Sequence, residues 1–307
     1  MIMCCGEALI DMLPRTTTAG EDAFAPYAGG AVFNTALALG RLGLDTSFFT
    51  GLSSDMFGGI LREALTASGV DHSPCATLDL NTTLAFVRLV NGQASYAFFD
   101  ENTAGRMITE AHLPDLGDDV EALHFGAISL IPDPCGATYE SLMRRAHGSR
   151  VISLDPNIRP GFITDTAKHR ARIDRMIAMS DIVKMSDEDL EWFGQPDMET
   201  AARAWLAEGP SLVVFTRGPD GAIGFTSNHA VEVDGVPVTV ADTVGAGDTF
   251  NAGILASLKR DNLLTKQAIK SLSVEAVANA LSLGAKAASV TVSRPGANPP
   301  WASEIGF

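Results

Sequence analysis

The stretch that most constrains this chain is Asp242-Thr243-Val244-Gly245-Ala246-Gly247-Asp248, a glycine-rich turn set between two patterns of different period. Ahead of it Val236, Val238 and Val240 alternate with Pro237 and Thr239, a strand signature. Behind it Phe250, Ile254, Leu255 and Leu258 recur at helical spacing. The turn is therefore expected to join a strand to a helix that begins near Thr249. At a helix start the first backbone N–H groups have no internal partner and the macrodipole is positive, so a phosphate oxygen can settle against them. Gly245 and Gly247 present no Cβ and allow positive φ, which lets successive amides converge on one point. Asp248 would repel such an anion unless it has a task of its own, and accepting a proton from an attacking hydroxyl is one. Helix capping is the plainer explanation, yet a cap needs one aspartate and no second glycine.

Strand-like runs followed by helix-like runs recur along the chain. At least five such alternations, with no repeat period and no long linker, predict a doubly wound, mainly parallel α/β sheet with helices on both faces, in one domain over residues 1–307. Residues 1–12 are expected to form an opening buried strand with Asp11 at its end, although Asp11 would start a turn before Pro14 equally well. Gly29-Gly30 is a second glycine turn, feeding a helix from Ala31 that Gly43 closes. A strand over 46–51 and a helix over 57–68, capped by Asp55 and closed by Gly69, come next.

Residues 83–99 break the alternation, because two strand-like runs, 84–90 and 94–99, flank the hairpin signal Asn91-Gly92. A hairpin off the main sheet must bury its apolar face elsewhere. The expectation is a small β lid, with elements at about 13–27 and 83–103, shared between subunits of a homodimer; a plain edge hairpin is the alternative. The polar run from Asp100 to Arg106 follows it.

Buried runs at 122–130, 151–154, 182–185 and 212–215 read as further strands, and the C-terminal ends of such strands face the ligand crevice of an open sheet. Those ends carry Ser129, then Asp155-Pro156-Asn157-Ile158-Arg159-Pro160, then Ser186 with three acids through Asp189, then Thr216-Arg217-Gly218-Pro219-Asp220-Gly221. Arg159 suits either an anion clamp or an ion pair with Asp155, and Ser186 is a good N-cap. His124 reads as a satisfied core histidine. Residues 273–288 predict a small-residue helix bearing Asn279, followed by a strand at 289–292.

A formal net charge of −15 with six lysines argues against wide contact with nucleic acid or anionic membrane. An anionic cosubstrate must then be held by local amides, a few arginines and a metal ion. Cys4, Cys5, Cys75 and Cys135 show no metal or redox spacing and read as reduced thiols. With no basic leader and no membrane-length apolar stretch, a cytoplasmic location is expected. P-loop, dinucleotide, zinc-protease and nucleophile-elbow motifs are absent from the sequence.

Residues 242–253, ending Phe250-Asn251-Ala252-Gly253, closely resemble the C-terminal signature of the ribokinase and phosphofructokinase-B family of carbohydrate kinases. The segment from Gly29-Gly30 through Asn34 to Gly43 resembles that family's N-terminal signature, with Val32 where many relatives have proline. The resemblance implies a ribokinase-like fold and ATP-dependent phosphorylation of a sugar hydroxyl. Asp248 would be the base, and Gly245, Ala246 and Gly247 would supply amides to the phosphoryl group. Asp11, Gly29, Gly30 and Asn34 would bind sugar hydroxyls, with Asn102, Arg106, Ser129 and Arg159 as further contacts. Ser186, Thr216, Gly218, Gly221, Gly247 and Asn279 would hold ATP. Ser186 and Asp189 stand where the family has an Asn-x-x-Glu motif that organises magnesium, and Asp242 would lie before a potassium ion.

Segments around Ser129 and Arg159 resemble those of fructokinases, which points to fructose as the substrate and fructose 6-phosphate as the product. The alternatives are 2-keto-3-deoxygluconate, which would draw on Arg88, Arg106, Arg159 and Tyr96, another sugar or a nucleoside, and a regulatory sugar-binding protein without catalysis.

Overall fold

The computed structural model describes residues 1–90 and 93–307, with the side chains of residues 88–96 outside the description. In chain order, β1 (Ile2–Cys5) is followed by β2 (Leu9–Thr16), β3 (Asp22–Gly29) and α1 (Ala31–Arg41). Then come β4 (Thr46–Phe49), β5 (Gly51–Ser53), α2 (Met56–Ala67), β6 (Val70–Asp71) and β7 (Ala76–Leu78). The hairpin strands are β8 (Leu84–Val90) and β9 (Gln93–Phe99); the Asn91-Gly92 turn between them lies outside the described residues. The second half runs β10 (Ala122–Gly126), α3 (Cys135–Ala146), β11 (Val151–Asp155), α4 (Thr166–Met179), β12 (Ile182–Ser186), α5 (Asp187–Trp192) and α6 (Met198–Glu208). It ends with β13 (Leu212–Thr216), β14 (Ala222–Phe225), β15 (Ala230–Val233), α7 (Ala246–Arg260), α8 (Val274–Val292) and α9 (Ala302–Ile305).

Among the described residues nine strands form one sheet in the order β15-β14-β13-β12-β11-β10-β1-β4-β6. From β6 to β13 every pairing is parallel, and β14 and β15 close the far edge antiparallel. The inner strands are near-continuous apolar runs because helices cover both faces. Phe33 and Leu37 of α1, Leu61 of α2, Ile254 of α7 and Leu281 of α8 pack on one face. Tyr139 of α3, Ile173 of α4 and Trp205 of α6 pack on the other. The chain winds outward from β1 to β4 and β6, then returns to lay β10 on the opposite side of β1. Strand order therefore reverses at β1 and β10, where an open α/β sheet forms its crevice.

A separate sheet, ordered β3-β2-β8-β9, stands off the large one. Pairing of Ile10 with Leu84 and of Leu84 with Phe99 puts these residues on one face, together with Met12 and Phe86. On that face Phe86 meets Phe24 and Phe99 edge-on, with ring centroids 5.0 and 5.5 Å apart. Asp11, Ala85 and Phe98 share the opposite face, where Phe98 meets Phe162 at 4.2 Å.

Several expectations need correction. Asp11 belongs to β2 of the small sheet, because Gly6 and Glu7 interrupt the opening run and redirect the chain. Residues 236–240 form no strand: Val236, Val238 and Val240 are exposed, Pro237 has no amide to donate, and the large sheet ends at β15. The following helix begins at Ala246, three residues before Thr249, with Gly245 as its N-cap. Residues 289–292 are the last turn of α8, where Thr291 is buried and hydrogen-bonds Thr249 of α7. Strand β10 stops at Gly126, and residues 127–130 form a 3₁₀ turn with Ala127 at φ +57°.

Candidate functional site

The crevice at the strand reversal collects side chains from five elements. Gly245, at φ +79°, turns the chain so that Ala246, Gly247 and Asp248 form the first turn of α7, with the Ala246 amide donating to Thr243 O at 3.3 Å. A Cβ on Gly245 would stand 2.7 Å from Ala297 Cβ. Gly30, at φ +112°, starts α1 in the same way and brings Asn34 opposite.

Asn34 Nδ2 donates to Asp248 Oδ2 over 2.9 Å, and Thr35 Oγ1 donates to the Asp248 carbonyl over 3.2 Å. Asn34 Oδ1 is buried and has no hydrogen-bond partner among the described residues. A buried acceptor without a donor is costly, so this atom suits a hydroxyl donor. Burial pushes Asp248 up to about 7, against the Asn34 hydrogen bond and the Lys184 charge, and with help from Asp155 and Glu7. A carboxylate poised there accepts a proton at neutral pH.

Lys184, Asn251 and Asp155 form the floor. Asp155 Oδ2 accepts from Asn251 Nδ2 at 2.7 Å and from Lys184 Nζ at 3.1 Å. The ammonium lies 3.0 Å from where a Gly247 Cβ would be, directly beside the turn. Burial disfavours its charge, but Asp155, Asp189 and Asp248 hold Lys184 above its ordinary range. Lys184, Asn251 and Glu7 escaped the sequence reading. The available signal was a lysine inside the otherwise apolar run Ile182-Val183-Lys184-Met185, since a buried charge implies partners.

Asp11 is half-buried on β2, and burial pushes it up to about 6. Its Oδ2 occupies the space that a Cβ on Gly29 would need, so glycine there preserves the carboxylate's position. Ser129 is buried with its hydroxyl donating to Gly126 O at 2.8 Å. His124 pairs with Ser153 Oγ at 3.0 Å and is driven down to about 3 by burial and the Lys184 charge, a core histidine.

Other residues lie at the margin. Asn102 is exposed at φ +57° and is not among the described residues bonded to the Asp248 cluster. Arg106 is paired with Asp100 at 3.1 Å. Arg159 is exposed and donates to Ile158 O at 3.0 Å, so the expected pair with Asp155 gives way to Lys184. The side chains of Arg88 and Tyr96 are outside the description.

Of the residues expected to hold ATP, Thr216 ends β13 and donates to Met185 O at 3.4 Å. Gly218 and Gly221 take φ +54° and +85° in the turn to β14, and Asn279 is exposed on α8. Ser186 caps α5 reciprocally with Asp189, whose other oxygen accepts from Ile158 N at 2.8 Å. Asp242 accepts from Val244 N at 3.0 Å and Gly296 N at 2.9 Å, joining two loops behind the α7 turn. No cluster of three or more His, Cys, Asp or Glu suited to a metal occurs among the described residues.

The chain matches the pfkB family carbohydrate kinase profile over residues 1–304. It is 68% identical over 280 residues to a fructokinase of Rhizobium leguminosarum bv. trifolii, covering 91% of this chain and 86% of that protein. The ATP-bound fructokinase of Xylella fastidiosa has a TM-score of 0.85 at 27% identity, covering 99% of this chain and 96% of that one. A Vibrio cholerae O395 fructokinase, solved with fructose, ADP and calcium ion, shares the fold with a TM-score of 0.84 at 24% identity, covering 96% of this chain and 94% of that one.

Proposed function

The chain belongs to the pfkB family of carbohydrate kinases, and from that membership we propose that Asp248 is the base of an ATP-dependent fructokinase. The protein is a sugar kinase, and fructose phosphorylation is the activity its relatives support. The observation that carries the residue assignment is the buried contact between Asn34 and Asp248 at two facing helix starts.

In this reading neighbouring fructose hydroxyls donate to Asn34 Oδ1 and Asp11, while the attacking hydroxyl points its hydrogen at Asp248 and presents its oxygen to the γ-phosphorus of ATP. Asp248 takes the hydroxyl proton as the O–P bond forms and ADP leaves. The amides of Gly245, Ala246 and Gly247 and the Lys184 ammonium stabilise charge on the transferring phosphoryl oxygens. Gly29 and Gly30 allow the close approach, and Ser129 shapes the sugar-side wall. Thr216, Gly218, Gly221, Ser186 and Asn279 line the path for ATP. A magnesium ion would arrive on the ATP phosphates and neutralise their charge, with Asp189 as the carboxylate that would lie nearest. A potassium ion would be held at the loops that Asp242 joins, where it would add positive charge behind the turn.

Fructose is preferred to 2-keto-3-deoxygluconate because, among the described residues, Arg106 and Arg159 are bonded to Asp100 and to Ile158 O. Arg106 is neutralised by Asp100, Arg159 is exposed, and a neighbouring cleft of about 500 Å³ is lined by Asp55, Asp100 and Glu101. Asn102 and Arg106 are then outer contacts. The small sheet acts as the lid of a single catalytic unit, and its apolar face, with Phe24 48% and Phe99 60% exposed, fits a homodimer interface. A cytoplasmic setting suits four free cysteines.

An ADP-release assay over fructose, ribose, tagatose, ketodeoxygluconate and nucleosides tests the substrate. Fructose should give the highest kcat/KM, and preference for an acidic sugar would overturn that choice. ADP release without sugar turnover would favour a regulatory protein. Sedimentation of wild type and Phe86→Asp tests the dimer, which the aspartate should dissociate.

A further inference from the structure

Helix α1 brings Asn34 and Thr35 to Asp248 near its start. Its last residue, Arg41, reaches a different part of the chain. There Nη1 donates to Asn298 Oδ1 at 2.7 Å and to Pro299 O at 2.8 Å, and Nε donates to Ser68 Oγ at 3.2 Å. The guanidinium also stands over the Trp301 ring, 5.4 Å from its centroid. The macrodipole favours a cation at a helix C-terminus, which accounts for a positive charge at this position. It does not account for a fork of donors spent on a loop 257 and 258 positions later.

That loop, between α8 and α9, supports the turn that starts α7. Ala297 lies against Gly245, where a Cβ would stand 2.7 Å from Ala297 Cβ and 3.0 Å from its Cα. The Gly296 amide donates to Asp242 Oδ2 at 2.9 Å, while the Val244 amide donates to Oδ1 at 3.0 Å. At the end of α8, Val292 O accepts from the amides of Ala241 and Asp242 at 2.8 and 3.2 Å. Gly245 caps α7 with no side-chain hydrogen bond, so the neighbouring loop fixes where its turn sits. Asn298 and Pro299, the residues Arg41 grips, directly follow Ala297.

We propose that Arg41 is a positioning residue for phosphoryl transfer: by clamping Asn298 and Pro299 to the end of α1, it holds Ala297 against Gly245 and keeps the α7 turn in register with Asn34. The proposal depends on that turn holding the transferring group and on Asp248 being the base. One helix then fixes both halves of the site, the sugar contact directly and the phosphoryl turn through the loop. A misplacement of about 1 Å at such a turn can cost about 10²-fold in rate.

The test compares Arg41→Met, Asn298→Ala, the double variant and Ser68→Ala with wild type. It measures kcat, the fructose KM and calorimetric fructose affinity, with thermal melts to place the kinetics well below every Tm. Arg41→Met removes the donors and keeps an apolar stem, so kcat should fall about tenfold or more while fructose affinity stays within about threefold of wild type. Asn298→Ala removes one of the two loop acceptors and should lower kcat by about threefold or more. The double variant should fall no further than Arg41→Met, because both changes act through one link. Ser68→Ala removes only the bond from Arg41 to the C-cap of α2 and should keep the wild-type kcat.

A wild-type kcat in Arg41→Met or in Asn298→Ala overturns the proposal, as does a loss confined to fructose affinity. Additive losses in the double variant, or an equal loss in Ser68→Ala, overturn it too. Should Arg41→Met fail to fold, Asn298→Ala and Ser68→Ala decide: a loss of kcat in the first alone supports the clamp, and any other result refutes it. Wild-type turnover by Asp248→Asn would overturn the base assignment and this inference with it. An inactive Asp248→Asn beside a fully active Arg41→Met would overturn this inference alone.

Discussion

Asn34 and Asp248 lie 214 positions apart in sequence, yet the amide of one donates to the carboxylate of the other over 2.9 Å in the buried space between α1 and α7. The two glycine turns that start these helices therefore form one site.

Replacing Asp248 with Asn should remove the proton acceptor while keeping its shape. We expect kcat to fall by about 10²–10⁴-fold with fructose affinity little changed. Steady-state kinetics beside calorimetric titration with fructose separates the two effects, and turnover near the wild-type rate would exclude Asp248 as the base.

The same carboxyls make stability depend on pH with a definite sign. Burial raises Asp248 and Glu7 to about 7, and Asp11 to about 6, from ordinary values of 3.8, 4.5 and 3.8. Between about pH 4 and 7 the folded chain holds protons that the unfolded chain has released. Their stabilising contribution is thus complete below about pH 4 and lost as pH rises through 7. The lowered carboxyls Asp55, Asp133 and Glu140 act in the window below it. Scanning calorimetry should give a lower Tm at pH 8 than at pH 5. At pH 8 Asp248→Asn should melt higher than wild type by about 2–4 °C for each kcal/mol relieved.

Lys184→Met leaves Asp155 buried without its cation. Breaking a buried pair from one side costs about 3–5 kcal/mol, which denaturant unfolding will read. If the ammonium also serves the phosphoryl group, kcat should fall by more than tenfold in the variant that remains folded. A stable variant with normal kcat would reduce Lys184 to a structural ion.

Gly247→Ala adds a methyl group 3.0 Å from the Lys184 ammonium. The helix itself favours alanine, so any loss must come from the site. We expect kcat to drop by about an order of magnitude with a Tm within a few degrees of wild type. Equal kcat in the two proteins would show that the approach to Lys184 is unimportant.

Much of the site was legible because its residues sit in motifs where spacing and chemistry coincide. Gly30 and Asn34 share one helix start, and Gly245, Gly247 and Asp248 share another. The cross-chain bonds were not legible, since a pattern along the chain carries no distance between its ends. Lys184 was hidden by its strand: its three neighbours Ile182, Val183 and Met185 explain themselves as core, and the lysine needs Asp155 to make sense. Residues 236–240 failed for a related reason, because alternation reports a surface suited to pairing and not the presence of a partner. The run Val290-Thr291-Val292 suggested a strand by its β-branched residues, but packing of α8 on α7 overrode that preference.

β1 is an interior strand of the large sheet, with Ile2 opposite Thr46 on one side and Ala122 on the other. β4 can cover one edge of β1, but the other edge waits for β10, and Asn34 waits for α7 before it meets Asp248. Contacts this distant in sequence are slow to form and leave apolar edges open meanwhile. On the proposed assignment, a nascent chain that has passed Ser129 but not reached α7 carries Asp11, Asn34 and Ser129 without the proton acceptor.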